Sequence, residues 1–171
     1  MTSDRNKAKN FVELAGAGAV LFGLIFVGLE LRQNTAAVEA ATLQSLTDAS
    51  VDYVNTLASD PELTRIWITG ASDPESLNDI EAGQLHFLIR GQWFRFQNSF
   101  LQWKRGALTD EDWILYEGFI CRTNNNTEGF YTDMTAEHIR NRTWLEHKDV
   151  LLSPFVEFVE TCWARNNFFV N

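Results

Sequence analysis

The residues of this 171-residue chain that could do chemistry are few: three histidines, two cysteines and two arginines set among aromatics. His138 and His147 have Glu137, Glu146 and Asp149 nearby, a set that invites a metal. Their spacing of nine residues is about two and a half helical turns, which puts the rings on opposite faces of one helix. Neither a Glu-x-x-His pair nor a His-Glu-x-x-His accompanies them. Both are read as surface residues, and no metal or other cofactor is expected. His86, beside Phe87 and Leu88 with Arg90 four residues on, is read as a residue at the edge of a core.

Cys121 and Cys162 fall near the ends of two separate predicted helices. Two readings stand: a disulfide tying those helices together in an oxidising compartment, or two independent buried thiols. Their spacing matches neither a redox nor a zinc motif. Arg90 and Arg95 lie in an aromatic-rich helix. They either line a pocket for an anionic ligand, pair with Asp or Glu of a neighbouring helix, or bury their stems and keep their heads wet.

No Gly-x-Ser-x-Gly is present, neither cysteine has the flanks of a nucleophile, and the Gly16-Ala17-Gly18 run sits inside an apolar stretch rather than a phosphate loop. Nothing in the sequence points to an enzyme.

The element that positions everything else is Phe11 to Leu31, FVELAGAGAVLFGLIFVGLEL. As a helix it would be roughly 31 Å long, close to the hydrocarbon thickness of a bilayer. It is read as a transmembrane helix. A cleavable signal fits less well, because the apolar run is long and Glu30, Leu31, Arg32 and Gln33 follow it directly. A buried core helix is disfavoured by Gly16, Gly18, Gly23 and Gly28, since each glycine costs about 1 kcal/mol relative to alanine in a water-soluble helix but is common in membranes. Ala15, Ala19 and Gly23 recur every four residues, and Gly16 and Gly23 are seven apart. Such a stripe lets membrane helices approach closely. Ala15, Gly16, Ala19 and Gly23 are therefore the candidate packing residues, with a generic span as the plainer reading.

Residues 1–10 carry Arg5, Lys7 and Lys9 against Asp4, and the positive-inside rule places this tail in the cytoplasm. Residues 32–171 then form an acidic, aromatic-rich domain on the outer side, which in a bacterium is the periplasmic face of the inner membrane; a cytoplasmic domain is the alternative. From Gln33 onward there are 20 Asp/Glu against 10 Lys/Arg. A domain near −10 is repelled by phosphate backbones, so nucleic acid is not an expected partner.

After the span, residues 33–58 contain no proline or glycine. Leu43, Leu46, Ser50, Tyr53 and Leu57 form a narrow helical stripe, so the span is expected to continue as one long helix. Ser59-Asp60-Pro61-Glu62 starts a second helix that ends near Gly70, and residues 71–78 read as a loop. A third should run from Asn78 or Asp79 to about Arg105. Ile80, Phe87, Phe94 and Leu101 repeat at seven residues, and Leu88, Trp93, Phe96, Phe100 and Trp103 widen the apolar surface, so this helix is expected to be central and the most buried. Gly106 ends it, and Thr109-Asp110-Glu111-Asp112 caps a fourth. Residues 122–129 read as a loop, Asp133 or Thr135 to His147 as a helix, and Ser153-Pro154 opens the last. No stretch alternates like a strand. The fold class is all-α: an N-terminal transmembrane helix continuing into an antiparallel helical bundle.

The passage IFVGLELRQNTAAVEAATLQ, then ASDPELTRIW and a Trp/Phe-rich helix, resembles a recurring type of bacterial protein with one N-terminal membrane helix before an all-helical domain. That type has no assigned activity, so the resemblance implies an architecture and no site residues.

The functional expectation is a single-span membrane protein that works by assembly, with itself or as an accessory subunit of a larger membrane complex. Its partners would be the lipid bilayer and a second copy or another membrane protein. The alternative is a membrane-anchored helical-bundle sensor whose pocket uses Arg90 or Arg95, which requires a cavity of ligand size.

Overall fold

A computed structural model describes the backbone at residues 2–122 and 144–165, and the side chains at 16, 18–121 and 144–165. The loop read at 122–129 beyond Arg122, most of the helix read at 133–147, and His138 with Glu137 lie outside these residues. Among the described residues, helices α1 (Thr2–Ser59), α2 (Pro61–Ser72), α3 (Asp79–Lys104), α4 (Asp110–Arg122) and α5 (Ser153–Arg165) follow one another. Short 3-10 turns stand at Pro74–Ser76 and Lys148–Val150, and residues 144–147 are helical. The described residues contain no strand, and the protein is all-α.

The chain divides into two compact units, Met1–Ala41 and Thr42–Asn171. The first is helix alone. Val20, Leu21, Phe22, Leu24, Ile25 and Phe26 are all exposed there, Phe22 at 75 %. Among the described residues, no helix is long and apolar enough to cross a membrane. The side chains of residues 11–15 and 17, within the stretch read as a span, are not among those described.

In the second unit the helix starts follow from local chemistry. Asp60 accepts hydrogen bonds from the backbone N–H of Glu62 (2.9 Å) and Leu63 (3.2 Å), with Pro61 in the first turn of α2. Asn78 accepts from Ile80 and Glu81 while the Glu81 carboxylate takes the Asn78 N–H, closing a capping box at the start of α3. Thr109 accepts from the Asp112 N–H at 3.1 Å to open α4. Between α3 and α4, Gly106 turns the chain at φ 73°, a conformation that favours glycine.

The α3 helix packs against α2 on one side and α4 on the other, and α4 packs against α5. Ile89, Trp93, Phe96 and Phe100 of α3 meet Trp113 and Ile120 of α4, Trp144, and Phe155, Val159 and Trp163 of α5 in one cluster. Trp93, Trp144 and Trp163 form its centre, with ring centroids 4.8 to 6.1 Å apart. The seven-residue series does not bury as expected. Ile80 (77 % exposed) and Phe87 (69 %) face solvent, as does Phe94, while Leu101 is half-buried. Seven residues is nearly two turns, so the series shares one stripe. The packing partners cover the stripe of Trp93, Phe96 and Phe100 instead, and apolar content around the helix could not say which stripe they would choose.

Phe100 is 2 % exposed and touches the rings of Trp103, Trp113, Phe155 and Phe158. Phe100→Ala is expected to cost about 3–5 kcal/mol through lost burial and a residual cavity, read as a lower urea midpoint with the slope unchanged. Phe87→Ala, on the exposed stripe, should shift the midpoint far less.

Candidate functional site

Of the four candidate membrane-packing residues, Ala15 lies outside the described side chains, and Gly16, Ala19 and Gly23 are exposed. A methyl group built on Gly16, Gly18, Gly23 or Gly28 would meet nothing within 4 Å. This helix surface is thus open to close approach.

Cys121, near the end of α4, and Cys162 of α5 are brought together across 41 residues of sequence and joined as a disulfide, with Cα atoms 5.7 Å apart. The indole N–H of the adjacent Trp163 donates to the Ile120 carbonyl at 3.1 Å, so the same two turns are held twice.

Arg90 and Arg95 both lie on α3. The Nε of each is buried without a hydrogen-bond partner among the described residues. The Arg95 guanidinium lies 4.5 Å over the ring of Tyr53, in the part of α1 that belongs to the second unit. Burial holds the Arg95 pKa below its ordinary value, offset in part by Tyr53 and Tyr116. Burial pushes the Tyr53 phenol up, against the pull of Arg95, and the same holds for Tyr116, which Thr47 also pulls down. Tyr53 Oη donates to the Leu88 carbonyl at 3.1 Å, joining α1 to α3. Arg95 is therefore a cation held against an aromatic face. An open depression of about 580 Å³, lined by Lys148, Leu151, Val156 and Glu160 among others, includes neither arginine.

The structure assembles one cluster that the sequence did not indicate. His86 of α3 and Glu146 and His147 of the 144–147 turn place one ligand atom each within 4.8 Å of one another. The two imidazole centroids are 4.4 Å apart with planes tilted by 33°. His147 is 1 % exposed, and its Nε2 lies 3.4 Å from the His86 backbone carbonyl. Burial, then His147 and Arg90, hold the His86 pKa below its ordinary value, while Glu146 raises it. His147 was paired in sequence with His138, its neighbour on the same stretch; its partner stands 61 residues away on α3. The one local signal was the Glu146-His147 dipeptide, and nothing in the pattern joined it to His86.

No protein-family model matches the sequence, and no match was found among curated proteins or among solved structures.

Closing a loop of this length stabilises by about 4 kcal/mol in the chain-entropy account. The unreduced, denatured protein should therefore take up no thiol label and gain two after reduction, and Cys121→Ser/Cys162→Ser should lower stability by up to that amount. Tyr53→Phe should cost about 1 kcal/mol for the lost bond to Leu88, measured by urea unfolding.

Proposed function

We propose that the protein is a single-span, membrane-anchored assembly protein, in which the helix read at Phe11–Leu31 crosses the bilayer and associates with a second copy or with a subunit of a larger membrane complex. One observation carries this reading: Val20 to Phe26 are exposed on all sides of a helix whose glycines meet nothing within 4 Å. Uniform apolar exposure of that kind is unfavourable in water at about 25 cal/mol per Å² and neutral in hydrocarbon. Open glycines allow the backbone approach that replaces the hydrophobic effect as the source of helix association in lipid.

The orientation places residues 1–10 in the cytoplasm and the acidic domain outside. Arg5, Lys7 and Lys9 support it through the positive-inside rule. So does the joined Cys121–Cys162 pair, since disulfides persist in oxidising compartments. The open depression lined by Lys148, Leu151, Val156 and Glu160 includes neither Arg90 nor Arg95 and so lends the ligand-sensor alternative no support.

The test is the mass of the full-length protein extracted gently from membranes, beside that of Ala19→Ile/Gly23→Ile. A homo-oligomer or a defined complex is expected for the native chain, with dissociation increased in the variant. A monomer with no co-purifying subunit, or recovery in the fraction released by alkaline carbonate, would sink the proposal.

A further inference from the structure

We propose that His86, Glu146 and His147 bind one zinc-class divalent cation, which clips the 144–147 turn to α3. The donor set suits this class of ion. Two imidazoles and one carboxylate are ligands that zinc, nickel and copper accept readily, and magnesium or calcium would instead require a shell of oxygens. The three ligand atoms already lie within 4.8 Å of one another before any ion is added. Around zinc, ligand bonds of about 2.0–2.2 Å place neighbouring donors about 3.4 Å apart, so closure needs a movement of about 1.4 Å at most.

That movement falls on the side chains best able to make it. His147 is buried and serves as the fixed point, whereas His86 is half-buried and Glu146 exposed, so both can swing inward. The His86 backbone carbonyl is placed to orient the buried ring: an N–H at His147 Nε2 donated to it leaves Nδ1 as the nitrogen with the lone pair. A second-shell bond from a ligating histidine to a backbone carbonyl is how metal sites set tautomer and ring angle. Arg90, one turn along α3, is the unfavourable neighbour, and the Glu146 carboxylate opposes its charge. Three protein ligands leave a fourth position for water, as in open zinc sites. Glu146 and His147 are adjacent in sequence while His86 belongs to another helix, so the ion cross-links two elements. Its effect is on the stability of their contact.

The experiment uses full-length, tag-free protein in detergent, with its disulfide intact, stripped with a chelator and titrated with Zn2+ in a calorimeter, with Mg2+ as the control. Saturable binding of one equivalent is expected, with a melting temperature that rises on adding zinc. Mg2+ should produce neither. His86→Ala and Glu146→Gln each remove one ligand, and each should weaken zinc binding at least tenfold and abolish the thermal shift. Far-UV circular dichroism of the stripped variants confirms native helicity; if His86→Ala loses it, Glu146→Gln decides alone. Absence of one-equivalent binding, or unchanged affinity in Glu146→Gln, would overturn the site.

Discussion

The packing of three indoles, Trp93, Trp144 and Trp163, is the constraint on which the domain depends. Large aromatics bury much area, but each tryptophan also carries an N–H that must find an acceptor when withdrawn from water. Trp163 donates to the Ile120 carbonyl and Trp144 to the Glu160 carboxylate. At the edge of the same cluster, Trp103 stacks on Trp113 with planes 6° apart and donates to Asp110. Area alone would tolerate several arrangements of so many rings. The N–H bonds select one, because each acceptor sits at a single place on a neighbouring element. Gln97 adds a further register bond, its side-chain oxygen accepting the Leu152 N–H at 2.6 Å and holding the start of α5 on α3.

Around this core the few cations are used as surfaces as much as charges. Arg95 lies over Tyr53, and Lys104 lies 4.3 Å over Trp103. A cation gains from a ring most where water is excluded, which favours the half-buried Arg95 contact over that of the exposed Lys104. Arg65 is the contrasting case. It bridges Glu62 and Glu81, so α2 and α3 are joined at their exposed ends by an ion-pair network that salt would weaken.

The two units meet opposite demands. In the second, the largest apolar side chains are gathered into one cluster, although Ile80, Phe87, Phe94, Ile114, Leu115 and Phe119 are among those left exposed. In the first, apolar side chains face outward on every side and nothing lies near the glycines. The proposed membrane anchor and acidic helical domain would meet both. The proposed cation would act at the margin of the second unit, where a short turn meets α3 through two imidazoles rather than through apolar area.

Much of this was determined by local chemistry and so was legible in the chain. The starts of α2, α3 and α4 rest on Asp60-Pro61, Asn78 with Glu81, and Thr109 with Asp112, all interactions within four residues. The end of α3 rests on the freedom of Gly106 to take a positive φ. The long reach of α1 follows from the absence of proline and glycine over residues 33–58. What only the tertiary structure decided were the choices made between elements far apart in sequence. Which stripe of α3 is covered depended on where α4 and α5 could place Trp113, Phe155 and Trp163, so Phe87 and Ile80 stayed outside. Whether Cys121 met Cys162 depended on how α4 and α5 crossed, and Arg95 came to lie against a ring because the packing brought Tyr53 of α1 to it. The joining of His86 to Glu146 and His147 was least visible of all, since side-chain spacing along a chain reports neighbours on one helix and carries no information about two helices until packing brings them together.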